Sequence, residues 1–208
     1  MSNFETEDQQ VEALKRWWKQ NGKAVMIGGA LGLAAVFAGN SYMNRLEKNR
    51  YDASSAYDQM NQAIQLEQTD IALSTGDTIV SNYANTPYAA MASLALARLH
   101  VEKGELAAAQ NRLQWVLDHA KQQDVLHTAR LRLAAALMAD GKYDIALSKL
   151  NGIEMSTYMP LYQELLGDIY LAKQQKDKAR DAYTAALAAL DKGDDRQNLQ
   201  MKLDDLGV

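Results

Sequence analysis

One stretch of this chain is apolar on every side, and the rest alternates apolar and polar positions at helical spacing. From Ala24 to Gly39 the run AVMIGGALGLAAVFAG carries no charge, and with Asn40, Ser41, Tyr42 and Met43 it reaches 20 residues. That is the length an α-helix needs to cross a hydrocarbon core of about 30 Å. Trp17 and Trp18 precede it and Tyr42 closes it, where amphipathic aromatics settle at headgroup level. A cleaved signal peptide would start with a short basic leader, whereas 23 residues with an acidic start stand here. A core helix of a soluble protein would rarely go uncharged for so long. The pattern predicts a short segment over 1–23, a transmembrane helix over 24–43 and a domain over 44–208. Gly28, Gly32, Ala35 and Gly39 fall on one stripe of that helix. Such a stripe lets a second membrane helix approach closely, although Gly and Ala are also simply common in membrane helices. Residues 44–68 contain neither Gly nor Pro, so the helix is expected to run on into the domain.

Beyond the apolar run, three segments superpose around a small-residue turn. The first reads Leu96-Ala97, His100, Gly104, Leu106, Ala109, Leu113, Val116. The second reads Leu133-Ala134, Leu137, Gly141, Tyr143, Ala146, Leu150, Ile153. The third reads Leu166-Gly167, Tyr170, Gln174, Lys176, Ala179, Tyr183, Ala186. The turn positions are 37 and 33 residues apart, and both grammar and spacing resemble those of tetratricopeptide repeats. Small residues mark where two antiparallel helices cross, and large apolar ones fill the space beside them. The expected fold is all-α: an N-terminal transmembrane helix followed by a tetratricopeptide-like solenoid. Its clearest repeats are expected at about 90–119, 127–153 and 160–190. A degenerate unit one period earlier would use Ala63, Asp70, Ile79 and Pro87, with Thr86 as N-cap and Pro87 opening the helix. Leu199, Leu203 and Leu206 predict a capping helix at about 194–206.

Such repeats line a concave face with the first helix of each pair. The expected lining is Met91, Leu94, Arg98, Val101 and Glu102, then Thr128, Leu131, Ala135, Met138 and Ala139. The third repeat adds Leu161, Glu164, Asp168, Leu171 and Ala172. This face is mostly apolar, with two methionines suited to adaptable binding, and it lacks a basic clamp for a peptide carboxylate. Two readings stay open: a free groove, or a face covered by the 49–66 helix or a neighbouring repeat.

Composition narrows the function classes. The net charge is −4, and charges balance before residue 44, so the acidity belongs to the domain. Without a basic stripe, nucleic acid is not the expected ligand. There is no Cys, which removes thiol catalysis and Cys-ligated zinc. His100 occupies a repeat-core position, and His119 and His127 lack metal spacing. No phosphate loop, dinucleotide fingerprint, G-x-S-x-G or H-E-x-x-H is present. No catalytic residue, metal or cofactor is expected.

The run from Val11 through Lys15-Arg16-Trp17-Trp18-Lys19 to Ala24, with the Gly-rich segment directly after it, resembles the YfgM family of ancillary SecYEG translocon subunits. The ending Gln200-Met201-Lys202-Leu203-Asp204-Asp205-Leu206 resembles that family's C-terminus. Basic residues near the span number four before it and three after, favouring a cytoplasmic N-terminus only narrowly. The resemblance implies that orientation, one inner-membrane span and a periplasmic repeat domain. It implies association with SecYEG and with a PpiD-type periplasmic chaperone, and passage of unfolded translocating polypeptides to periplasmic chaperones. A role for the cytoplasmic segment in restraining a stress-response regulator is implied as well. The competing reading is a structural scaffold for an envelope assembly complex.

Overall fold

The computed structural model describes residues 7–152, 157–190 and 196–207. Ile153, the first residues of the expected capping helix and the start of the 1–23 segment lie outside the described residues. Two compact units emerge, Met1–Asn49 and Arg50–Val208. Helix α1 runs from Glu7 to Gln65 and contributes to both. In the first unit it exposes the apolar run, with Leu31, Val36 and Phe37 all more than 60% accessible. This is the one described helix long and apolar enough to cross a membrane. A Cβ added at Gly28, Gly32 or Gly39 would meet nothing within 4 Å, so this stretch of the helix has open space where the stripe lies.

The second unit is a ladder of helix pairs. The last turns of α1 pair with α2 (Thr69–Asn82), and α3 (Pro87–Glu102) pairs with α4 (Leu106–His119). Then α5 (Gln123–Ala139) pairs with α6 (Tyr143–Leu150), and α7 (Met159–Ala172) with α8 (Lys176–Ala189); α9 (Arg196–Asp205) closes the series. The core is a relay of clusters. Met60, Ile79 and Leu96 join the first three helices, and Ala90, Val116 and Ala129 join α3, α4 and α5. Leu113, Leu133, Leu150 and Tyr162 carry it on to α7. Tyr183, Ala186, Leu199 and Leu206 then seat α9 on α8. Each helix therefore buries its apolar stripe against sequence neighbours.

Close crossing is possible because the contact points are small. Ala97, Ala109, Ala134, Ala146 and Ala179 are buried, and Gly76 and Gly167 are buried where no side chain fits. A Cβ on Gly76 would lie 2.6 Å from Leu96 Cδ2, and one on Gly167 would run into the Tyr183 ring. Ser93, fully buried, donates its hydroxyl to the Arg112 carbonyl at 3.0 Å and ties α3 to α4.

All four turns within pairs are built alike. The chain enters the left-handed region at Glu67, Gly104, Gly141 and Gln174. In each, that residue's N–H donates three residues back and the next N–H five back: Gly104 to Val101 and Glu105 to His100, Gln174 to Leu171 and Gln175 to Tyr170. These paired bonds satisfy carbonyls that a helix end leaves open. The first turn is thus at Glu67, not at the expected Asp70, which lies in the first turn of α2. Thr86 stands at the N-cap of α3 with Pro87 next, but its hydroxyl donates back to the Tyr83 carbonyl instead of capping the helix.

The turns and crossings make a stability prediction. Left-handed backbone costs a side-chain-bearing residue roughly 1 kcal/mol, so Gly141→Ala should lose about that much and Gln174→Gly should gain up to as much. Gly167→Ala should cost about 1–3 kcal/mol through overpacking on Tyr183. Thermal denaturation of the detergent-solubilised chain, followed by circular dichroism, checks the order; a neutral Gly167→Ala would contradict the close crossing.

Candidate functional site

Helices α1, α3 and α5 line one cavity, and α3, α4 and α5 line a second that adjoins it. The larger, about 490 Å³, is lined by Tyr57 and Ile64 of α1, Met91, Leu94 and Arg98 of α3, and Arg132 of α5. The second, about 360 Å³, is lined by Arg98, Val101, Leu106, Leu113, Arg132 and Ala135 among others. Arg98 and Arg132 line both, so the cavities form a continuous apolar groove with two guanidinium groups at its middle. Met91 and Val101 remain 40% and 45% exposed. The 49–66 stretch of α1 supplies one wall and leaves these residues uncovered.

The expected lining residues divide. Met91, Leu94, Arg98 and Val101 share the groove. Leu131 and Met138 are half-buried and pack against the central core cluster. Leu161 and Leu171 are exposed and line neither cavity. Glu164 and Asp168 are taken by α9: Lys202 Nζ lies 2.7 Å from Glu164 and 2.8 Å from Asp168. Asp168 also accepts the hydroxyl of fully buried Tyr183 at 2.8 Å. Burial and then the Asp168 hydrogen bond push the Tyr183 hydroxyl well above its ordinary value. Burial pulls Lys202 down, but Asp168 and Glu164 outweigh it and hold the ammonium above its usual value.

Arg132 is the residue that sequence reasoning missed, and it modifies the expectation of a face without a basic clamp. The 37-residue offset places it opposite Ala95, one helical turn after Met91, and Ala95 also lines the groove. An i, i+4 step from Met91 and Thr128 would have found both. Arg98 pairs with Glu102 one turn on, at 3.3 Å and largely exposed, which is worth little. Among the described residues Arg132 has no ion-pair partner.

The histidines serve packing and turns. His100 meets Glu105 at 2.7 Å across the Gly104 turn and holds that carboxyl below its ordinary range. His127 stacks on Tyr158 at 4.6 Å between ring centroids and lies 3.0 Å from the Tyr162 hydroxyl. Among the described residues no three His, Asp or Glu side chains converge on a metal position.

Comparison with known proteins agrees with this architecture. A family model described as a tetratricopeptide repeat-like domain matches residues 15–208. The chain is 30% identical over 208 residues to a protein of Escherichia coli K12 named ancillary SecYEG translocon subunit, covering 100% of both. It is 28% identical over 180 residues to the protein of that name in Haemophilus influenzae, covering 86% of this chain and 88% of the relative. In Neisseria gonorrhoeae the figures are 28% over 205 residues, 96% and 97%. Among solved structures, tetratricopeptide-like repeats of a kinesin light chain from Podospora anserina superpose with a TM-score of 0.57 at 19% identity, covering 74% of this chain and 84% of that one. BtubC from P. vanneervenii gives 0.51 at 18%, covering 77% and 82%. These two likenesses concern the fold alone.

Replacing Lys202 with Met strands two carboxylates beside each other under α9. Stability at neutral pH should fall by about 1–2 kcal/mol, the pair being partly solvated. Because salt screens the repulsion between the two carboxylates, the deficit should shrink at high ionic strength. Thermal melts of both chains in low salt and in about 1 M salt measure it; an equal deficit in both would assign Lys202 a packing role only.

Proposed function

The chain belongs to the tetratricopeptide repeat-like family and to its ancillary SecYEG translocon subunits, and from that premise we propose that it is a non-catalytic adaptor of the Sec translocon, anchored in the inner membrane by the apolar helix. The groove of Met91, Leu94 and Val101 around Arg98 and Arg132 is the observation that carries the adaptor reading. It offers exposed apolar surface with adaptable thioether contact, and two cations that favour segments carrying a carboxylate.

In this reading the N-terminus is cytoplasmic and the repeats are periplasmic. The groove receives translocating polypeptides or a PpiD-type chaperone and helps pass one to the other. The relatives' name and the groove's chemistry support the first contact and the general mode; the hand-off is our inference. Gly28, Gly32, Ala35 and Gly39 are then the face offered to a partner's membrane helix.

Membrane pull-down separates these contacts. Removing residues 1–43, or introducing Gly28→Leu with Gly32→Leu, should abolish or weaken co-purification of the channel. Met91→Glu with Arg132→Glu should leave the channel bound while reducing chaperone or client recovery about tenfold or more, as expected from losing a central anchor and a charge contact. Unchanged recovery with the groove pair would refute the groove. Photocrosslinkers at Met91 and Val101 distinguish transient from fixed service: many different chains support the adaptor, whereas one stoichiometric protein supports the scaffold.

A further inference from the structure

The adaptor reading makes no use of a further cavity in the repeat unit. It lies where the α2–α3 and α4–α5 connections meet, measures about 250 Å³, and is lined by Arg50, Pro87, Trp115, His119 and Lys121 among others. Three lining residues are basic types and none is acidic, in a chain of net charge −4. Elsewhere on the unit several cations are neutralised: Arg112 by Asp77, Lys173 by Asp144, Lys202 by Glu164 and Asp168. Arg50 and Lys121 have no such partner among the described residues. Part of the same lining is a ring stack. His119 lies flat on Trp115, centroids 4.3 Å apart and planes 9° apart, and its Nδ1 donates to the Trp115 carbonyl at 2.8 Å. Unpaired cations in a concavity without carboxylates are a place where an anion is held with little competition.

We propose that this cavity binds the phosphate of an anionic phospholipid headgroup, with Arg50 and Lys121 as the charge contacts and the Trp115–His119 stack as the wall. The inference rests on the membrane-anchored reading above. Arg50 follows Met43, the end of the apolar segment, by seven residues. At ~3.5 Å per residue its backbone stays within about 25 Å of that end, whatever the arrangement of the two units. An indole beside basic side chains is also the combination that settles at the lipid–water boundary. The cavity volume exceeds several times the ~30 Å³ share of a water molecule, so it admits more than solvent.

Native mass spectrometry of the detergent-solubilised full chain with equal amounts of phosphatidylglycerol and phosphatidylcholine tests this. The native chain should retain phosphatidylglycerol about tenfold or more over phosphatidylcholine, because both carry the phosphate but only the second brings a quaternary ammonium up against Arg50 and Lys121. Arg50→Gln with Lys121→Gln should bring the ratio near unity. The swap Arg50→Lys with Lys121→Arg should keep the preference, which separates charge loss from misfolding. Arg45→Gln with Lys48→Gln removes the same charge nearer the apolar segment but outside the cavity, and should also keep it. Equal loss in that control overturns the cavity in favour of diffuse attraction. No lipid preference, with inorganic phosphate binding instead, reassigns the site to a soluble phosphate and overturns the lipid proposal. No binding of either overturns both. Alkaline extraction of membranes reads anchoring independently: release of the native chain defeats the anchored reading whatever the lipid ratio.

Discussion

The repeat unit depends on how closely its helices can cross. Side chains larger than a methyl group at the crossing points would hold the helix axes apart and leave the large residues beside them unsupported. Gly76 takes this to its limit beneath Leu96 and Met60, and Gly167 does so against the Tyr183 ring. With axes this near, Leu96, Leu113, Ile169 and Tyr183 reach full burial although every described helix keeps exposed positions. The four similar turns follow from the same closeness, because antiparallel partners in contact require a short reversal. The left-handed residue supplies that reversal while its hydrogen bonds close the preceding helix.

Charge is distributed unevenly over this frame. The C-terminal end is neutralised by an internal arrangement in which Lys202 serves Glu164 and Asp168, while Arg180 donates to the Gly207 carbonyl at the chain's end. Arg50 on α1, Lys121 in the α4–α5 connection and Arg132 on α5 stand without matching carboxylates among the described residues. The acidic total therefore conceals a domain whose last pair is neutralised by α9 while single cations on earlier elements stay available. A sequence-wide charge balance argues against an extended basic stripe, but it does not reveal single cations placed in concavities.

Much of the architecture was legible in the sequence because it rests on local physics. Glycine at 104 and 141 marks a left-handed reversal wherever the chain folds, and Ala109, Ala146 and Ala179 mark crossings from their place after the turn. Glu67 and Gln174 are harder to see, since the turn geometry imposes the left-handed state on residues that do not prefer it. Asp70 attracted the first turn because it lies closer to one ideal period, whereas the actual repeat from Glu67 matches the 37-residue spacing of the next pair. The groove was only partly legible. Met91, Leu94, Arg98 and Val101 share the two cavities, but Leu131 and Met138 turn partly inward because α6 is only eight residues long and α5 packs directly towards α7. Capture of Glu164 and Asp168 by Lys202 joins residues 34 to 38 positions apart, and no periodic pattern announces a contact of that kind.

The relay of core clusters has a consequence for the order in which the molecule comes into being. Every cluster is built from helices adjacent or nearly adjacent along the chain, so no early segment has to wait for a distant one to bury its apolar face. A chain threaded out end-first, from a ribosome or through a pore, can lock each pair as it appears, with low entropic cost of loop closure at every step. The last helix, laying Leu199 and Leu206 over Tyr183 and Ala186, is then a terminal seal applied after the ladder already stands. Until it arrives, the most recently emerged pair is the only one with an unfinished edge.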